Sequence, residues 1–166
     1  MSEASPERPN PNLRRPPILL ATWFGTGLLP KAPGTWGSLA ALPFAWVIQT
    51  QFGAAALAAA ALAAFALGIW AANGYIAEVG GDDPGPVVID EVAGQWLSLV
   101  PAAADPVFYG LGFLLFRFFD IVKPWPVGWA DRRLKGGLGV MVDDMLAGAY
   151  AAAVLVLVQH LIAKGV

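Results

Sequence analysis

The uncharged run at residues 54–77 (AAALAAAALAAFALGIWAANGYIA) constrains this chain more than any other stretch. As a helix it would be about 36 Å long, enough to cross the hydrocarbon core of a bilayer, which is about 30 Å thick. Only 13% of the residues are charged and 57% are hydrophobic, whereas ordinary soluble domains are about 25% charged. The sequence therefore predicts an integral membrane protein.

Other apolar runs predict four further helices. Residues 38–52 form a short, weak span that contains a proline and could be tilted or re-entrant. Residues 87–123 are too long for one span and are broken by prolines near the middle, which predicts antiparallel helices at about 88–103 and 107–122. The last run, at residues 145–163, is long enough to cross. We expect an all-α, polytopic membrane bundle of about five helices.

The charged residues predict how this bundle is oriented. Residues 1–17 are rich in proline and arginine, which predicts a disordered tail ahead of a membrane-embedded domain at 18–166. With the N-terminus inside, five helices put every Lys and Arg except Lys164 on the cytoplasmic side, as the positive-inside rule favours. Asp105 is then the one carboxylate outside. A four-helix version would leave the basic residues 132–135 outside, so we prefer five.

Composition excludes several kinds of function. The net charge of −2 gives no electrostatic basis for binding nucleic acid. The absence of Cys excludes disulfides, thiol nucleophiles and thiolate metal sites. The one His, His160, lies at the far end of the last helix, so a phosphohistidine mechanism is not expected. The sequence does not indicate an oligomeric state.

A polar segment, RFFDIVKPWPVGWADRRLKGGLGVMVDD at residues 117–144, interrupts the apolar runs. Carboxylates and cations are costly in so apolar a protein unless they are wet, paired or bound to a metal. The predicted hairpin brings the acidic start of one helix beside the end of the next, and the acidic start of the last helix lies at the same depth. We therefore expect a polar site at the cytoplasmic face that contains Asp90, Glu91, Asp120, Asp143 and Asp144.

Two interpretations of these carboxylates stay open on the residues alone. Oxygen ligands without His or Cys suit Mg²⁺ or Mn²⁺ rather than Zn²⁺, which favours a metal site. Alternatively, the carboxylates are ion-paired at helix ends, where an acidic residue at a helix start is stabilised by the macrodipole. The surrounding cations are open in the same way, because they could hold a phosphate or simply anchor the cytoplasmic side: Lys31, Arg117, Lys123, Arg132, Arg133 and Lys135.

The Gly- and Pro-rich stretch at residues 21–43 is interpreted as an irregular loop that leads into the helix at Ser38, with Thr35 or Ser38 as its N-cap. Such a loop could offer backbone N–H groups and Lys31 to an anion, or it could be a plain connector. The stretch is not a P-loop, because it lacks a Gly-Lys-Ser/Thr triplet.

In order and spacing, four segments resemble the phosphatidylglycerophosphatase A family of bacteria. They are GTGLLPKAPGTWGS, VVIDEVAGQW, FRFFDIVKPWPVGWADR and GGLGVMVDDMLAGAYA, and the resemblance runs from about Phe24 to Tyr150. It implies a Mg²⁺-dependent phosphatase of the bacterial inner membrane. The implied reaction removes the terminal phosphate of phosphatidylglycerophosphate, giving phosphatidylglycerol and inorganic phosphate at the cytoplasmic surface.

The resemblance also implies roles for individual residues. The metal ligands are expected to be Asp90, Glu91, Asp143 and Asp144. Asp120 is expected to position or deprotonate the attacking water, with Asp131 as a reserve catalytic residue. The residues expected to bind the phosphate are Lys31, Thr35, Arg117 and Lys123. A related metal-dependent phosphatase or transferase and a small transporter are the alternatives, although the spaced aspartates of phospho-alcohol transferases and an internal repeat are not found.

Overall fold

Every regular element in the described part of the chain, residues 11–81 and 83–165, is helical in this computed structural model. A 3₁₀ turn at Thr26–Leu28 accompanies seven α-helices. The helices are α1 (Pro16–Ala21), α2 (Pro33–Phe52), α3 (Ala54–Val79), α4 (Ile89–Leu99), α5 (Pro106–Val122), α6 (Val127–Arg133) and α7 (Gly136–Ala163).

The predicted all-α bundle is confirmed, and its five helices correspond to α2, α3, α4, α5 and α7. The short helices α1 and α6 were not predicted. Of the predicted disordered tail, residues 1–10 lie outside the described residues. Pro16 begins α1, and Arg15 just before it forms an ion pair with Glu78 at the end of α3.

Two helices begin earlier than the sequence predicted. The turn into α2 is made at Ala32, which adopts a left-handed conformation with φ 49°, and Pro33 opens the helix because its fixed φ suits a first position. The N-cap is therefore Ala32 rather than Thr35 or Ser38, and the predicted loop ends at Ala32 rather than at Pro43. Pro43 itself lies inside α2.

The start of α7 changes the interpretation of its acidic pair. This helix begins at Gly136 instead of Met145, so Asp143 and Asp144 lie about two turns inside it. The macrodipole acts within the first turn of a helix. The prediction that it stabilises Asp143 and Asp144 is therefore wrong, and these two carboxylates need other partners.

Helix α4 is the centre of the bundle, and glycines allow its neighbours to approach it closely. It packs against α2, α3, α5 and α7, and most of its residues are buried. A Cβ added to Gly148 of α7 would lie 2.4 Å from the carbonyl oxygen of Gly94 in α4. A Cβ on Gly94 would in turn lie 2.6 Å from the carbonyl oxygen of Asp144. The two backbones therefore touch next to an acidic residue of the predicted site.

The turn between α4 and α5 is held by two glutamine side chains. The amide of Gln49, from the end of α2, lies 2.8 Å from the carbonyl oxygen of Ala102, and that of Gln159 lies 2.9 Å from the carbonyl oxygen of Pro101. Asp105 caps α5 by accepting from the N–H of Val107 at 2.8 Å. Carbonyls at a helix end have no partner within the helix, so these amides replace water at the tip of the hairpin.

Helices α3 and α7 are long and apolar enough to cross a membrane. Only 28% and 22% of their most apolar windows are buried inside the protein, whereas the core helix of a soluble protein buries its apolar face. Large apolar side chains point outward instead, including Leu62, Trp70, Leu157 and Ile162. These two helices suggest association with a membrane.

The contact between α4 and α7 can be tested with one pair of substitutions. Gly148→Ala places a methyl group against the Gly94 backbone, and we expect it to lower the free energy of unfolding by about 1–3 kcal/mol. Gly110→Ala is the matched control, because a Cβ there meets nothing within 4 Å, and a helical alanine is favoured over glycine by about 1 kcal/mol. Chemical unfolding in detergent micelles measures both. Equal stability of the two variants would contradict the close contact.

Candidate functional site

An acidic cavity of about 130 Å³ lies at one end of the bundle. It is bordered by the first turn of α2, the first turn of α4, the last turns of α5 and the third turn of α7. Seven charged residues, six of them acidic, and four small or apolar residues line it: Gly34, Asp83, Gly85, Val87, Asp90, Glu91, Asp120, Lys123, Val140, Asp143 and Asp144. Segments far apart in the sequence thus meet here, as the charge pattern predicted.

Three carboxylates form the centre of this site. Glu91 of α4, Asp120 of α5 and Asp144 of α7 each place one oxygen within 4.8 Å of the other two. The side chains are buried, with Asp144 only 3% exposed. We call these three residues the acidic triad.

Arg117 is the only cation in direct contact with the acidic triad among the described residues. Its Nη1 donates to Oε2 of Glu91 and lies 2.9 Å from Oδ2 of Asp120. When all three carboxylates are ionised, one guanidinium leaves two of their negative charges without compensation. A buried charge that has lost its water is costly unless another group compensates it.

The unpaired atom of the triad indicates what that group could be. Oδ2 of Asp144 is buried and has no hydrogen-bond partner among the described residues. Because the donors are all oxygens, and because two negative charges remain, the triad suits a hard divalent cation such as Mg²⁺ or Mn²⁺. Ion pairing at a helix end, the other interpretation of these residues, accounts for Glu91 and Asp120 but leaves Asp144 without a partner.

The pKa of Glu91 reflects the same crowding of negative charge. Burial is the largest cause, the Asp120 carboxylate adds to it, and together they raise the pKa of Glu91 to about 7. Arg117 and a hydrogen bond from the Ser38 hydroxyl, 2.9 Å from Oε2, act in the opposite direction without cancelling the rise. A cation in the triad would favour the ionised form of this carboxyl group.

The remaining acidic residues form a second group around Lys123. The ammonium group of Lys123 donates to Asp131 of α6 and, at 2.7 Å, to Asp143 of α7. Burial alone would lower the pKa of Lys123, but the hydrogen bonds to these two carboxylates and their negative charges together outweigh it and raise that pKa above its usual value. Asp90 lines the cavity while its Oδ1 accepts from the N–H of Glu91 at 2.9 Å.

The structure places the predicted metal ligands in two groups. Of the four expected metal ligands, Glu91 and Asp144 belong to the acidic triad, whereas Asp90 and Asp143 lie beside it. Asp120, expected to act on water, is the third member of the triad. The catalytic and ligand roles of all these residues remain predictions.

Only two of the four expected phosphate ligands lie at the acidic site. Arg117 contacts the triad and Lys123 lines the cavity, but Lys31 is exposed and Thr35 is half-buried. Neither Lys31 nor Thr35 makes a side-chain hydrogen bond or ion pair with the described residues. Both are close in sequence to Gly34, which lines the cavity at the start of α2.

Sequence reasoning missed two residues of this site, Gly34 and Ser38. Ser38 was considered only as an N-cap, although its hydroxyl donates to Glu91. A Cβ on Gly34 would lie 1.8 Å from Oε1 of Glu91, so only glycine leaves room for that carboxylate. Their spacing of four residues puts both on one face of α2, a signal that an early helix start would have revealed.

Gly34→Ala tests whether this room is needed. The added methyl group must displace the Glu91 carboxylate, so we expect Mn²⁺ affinity, measured by calorimetry on the purified protein in detergent, to fall about 10- to 100-fold. Gly85→Ala is the matched control, because Gly85 borders the same cavity but a Cβ there meets nothing within 4 Å. If Gly34→Ala and Gly85→Ala bind Mn²⁺ equally well, Gly34 does not position Glu91.

Comparison with known proteins places the site in a family. The chain is 38% identical to phosphatidylglycerophosphatase A of Escherichia coli over 143 residues, 86% of this chain and 83% of that protein. It is 37% identical to phosphatidylglycerophosphatase A of Haemophilus influenzae over 150 residues, 90% and 92% of the two chains.

A third relative carries a different name. The chain is 39% identical to a putative phosphatidylinositol-3-phosphatase of Bacteroides thetaiotaomicron over 166 residues, 90% of this chain and 99% of that protein. No solved structure matches. Residues 19–159, which include the acidic triad and its neighbours, match the phosphatidylglycerophosphatase A family. The chain therefore belongs to the phosphatidylglycerophosphatase A family.

Proposed function

We propose that this protein removes the terminal phosphate of phosphatidylglycerophosphate, giving phosphatidylglycerol and inorganic phosphate. Family membership supports a phosphatase acting on phospholipid. Two relatives that the chain matches over most of their length are named for this activity. The observation that carries the proposal is the acidic triad with its unpartnered Asp144 oxygen. A buried site with uncompensated negative charge is suited to holding a cation that in turn attracts a phosphate.

The placement of the cavity supports a lipid substrate. The apolar part of α7 that follows Asp144, residues 145–163, would be about 28 Å long, close to the thickness of the hydrocarbon core. The acidic cavity then lies at the membrane surface, where a phospholipid presents its head group while its acyl chains stay in the bilayer. The basic residues near the cavity favour the cytoplasmic side of the bacterial inner membrane, in a multi-pass arrangement.

Mg²⁺ is the cofactor we propose, and Glu91 and Asp144 of the acidic triad would hold it beside the Asp120 carboxylate. When bound, this ion would supply positive charge that polarises the phosphoryl group. Asp90 and Asp143 line the same cavity and are further candidates as ligands. Lys123, which now contacts Asp143, would keep that carboxylate oriented.

The other residues of the site would bind the phosphate and move the proton. Arg117 and Lys123 carry positive charge at the cavity, and the free N–H groups at the start of α2, near Thr35 and Lys31, suit an anion. Asp120 is the proposed base that takes a proton from the attacking water. The water oxygen bonds to phosphorus, the bond from phosphorus to the glycerol oxygen breaks, and that oxygen takes up the proton that Asp120 accepted. Asp131, through Lys123, is a reserve candidate for catalysis.

A second candidate substrate comes from the Bacteroides relative, whose printed name refers to a phosphoinositide. Both lipids carry a phosphate monoester on the head group, so the same chemistry would serve. A transferase would require a nucleotide-activated lipid, and a transporter would move ions across liposomes without releasing phosphate. These alternatives are therefore separated by whether the protein releases phosphate, requires a nucleotide-activated lipid or moves ions.

Phosphate release from purified protein tests the function directly. With phosphatidylglycerophosphate in mixed micelles and Mg²⁺ present, we expect inorganic phosphate to form, and we expect chelation of the metal to stop it. Phosphatidylinositol 3-phosphate in the same micelles provides the comparison for substrate choice. No release from phosphatidylglycerophosphate in either condition would refute the proposed activity.

Replacing single carboxylates tests the roles within the triad. Asp144→Asn and Asp120→Asn keep the size of each side chain but remove a charge, and we expect kcat/KM to fall about 100-fold or more for each. Asp105→Asn, at the opposite end of α5, keeps the helix cap, since asparagine caps as well as aspartate, and should retain activity. Full activity of either triad variant would remove that residue from the mechanism.

A further inference from the structure

An apolar groove runs along the outside of the bundle between α2 and α3. It encloses about 230 Å³, and its walls include Ile48 of α2 and the alanines Ala60, Ala63 and Ala64 of α3. The remaining lining residues are also apolar in character: Leu20, Trp23, Leu67, Ile89 and Trp96. Leu67 is 53% exposed, so the groove is open on its outer side.

The floor of the groove presents hydrocarbon rather than hydrogen-bonding groups. The indole N–H of Trp96 is turned away from it and donates to the carbonyl oxygen of Ala41 at 2.9 Å. The ring of Trp23 packs edge-on against Trp96, with ring centroids 5.8 Å apart, and against Phe44 at 5.4 Å. The floor therefore offers a polar ligand no partner.

The groove and the acidic cavity share one element, the first turn of α4. Ile89 lines the groove, and the next two residues, Asp90 and Glu91, line the cavity. Successive helical residues point about 100° apart, so this single turn separates an apolar surface from an acidic one. A molecule with a phosphate at one end and hydrocarbon at the other would find both surfaces on adjacent sides of α4.

We propose that the groove binds one acyl chain of the lipid whose phosphate enters the cavity. This rests on the proposed function and adds a binding site to it. Along α3 the groove extends from Ala60 to Leu67, about 10 Å, which suits a segment of straight hydrocarbon. A stretch of about 10 Å from a helix of a second copy, about 10 Å in diameter, has a volume of about 800 Å³ and would not fit into a groove of 230 Å³.

Ala63→Trp tests the groove without touching the acidic site. Ala63 is exposed and lines the groove, so an indole there should occupy the space of the chain without disturbing the core. For dioleoyl phosphatidylglycerophosphate we expect KM to rise about tenfold, as losing the burial of about two methylene groups implies, with kcat little changed. For the dihexanoyl lipid, whose chains are too short to fill the groove, we expect KM to change less than about twofold.

Ala66→Trp is the matched control, because Ala66 is exposed on the same helix but does not line the groove. It should behave like the unsubstituted protein with both lipids. A second measurement does not depend on turnover: a diazirine at the middle of the acyl chain should label α3 and Trp23, and Ala63→Trp should reduce that labelling.

The outcomes separate the inference from the function on which it rests. Equal KM changes for long and short chains, or none, with phosphate release intact, would overturn the groove as an acyl-chain site while leaving the phosphatase in place. A dimer in detergent that Ala63→Trp dissociates would assign the groove to a second copy and also overturn it. No phosphate release from either lipid by the unsubstituted protein would overturn the function and the inference together.

Discussion

The site depends on the contact between the Arg117 guanidinium and the carboxylates of Glu91 and Asp120. This contact joins α4 to α5 at a depth where water is largely excluded, and breaking such a buried pair typically costs about 3–5 kcal/mol. Yet it compensates only one of three negative charges, because Asp144 brings a third carboxylate with a free oxygen. When ionised, the triad therefore carries an excess of negative charge, which suits a cation that would in turn attract a phosphate.

Glycines on three helices make this convergence possible. Gly34 leaves room for the Glu91 carboxylate beside α2, while Gly94 and Gly148 let the backbones of α4 and α7 touch just beyond Asp144. In a membrane, with which α3 and α7 suggest an association, helices would gain little from hydrophobic burial against one another, and close packing of small residues would take over that role. The same contacts that hold the bundle together thus bring the carboxylates into reach of one another.

Part of the fold and of the site could be predicted from the sequence. The long helices depend on the length of the apolar runs, and the site depends on where the charged residues lie. The long helix α3 and the α4–α5 hairpin were evident from apolar runs and prolines, and the charge pattern placed Glu91, Asp120 and Asp144 at one end. The start of α2 was missed because its glycines and prolines were interpreted as loop formers, and the start of α7 because the helix was counted from the apolar run at residue 145. In α7, Gly137 lies so close to α3 that a Cβ there would be 2.3 Å from the carbonyl oxygen of Ile69, and this packing outweighs the low helix propensity of glycine.

Which carboxylate pairs with which cation could not be predicted, because it depends on side-chain directions. Lys123 follows α5 in a left-handed conformation with φ 47°, and this turn directs its ammonium group to Asp131 and Asp143 instead of the triad. Arg117, one and a half turns earlier and still helical, faces the triad. Arg117 therefore pairs with Glu91 and Asp120, whereas Lys123 pairs with Asp131 and Asp143. Asp144 is left without a cation of its own, and it is the member of the triad with an unsatisfied buried oxygen.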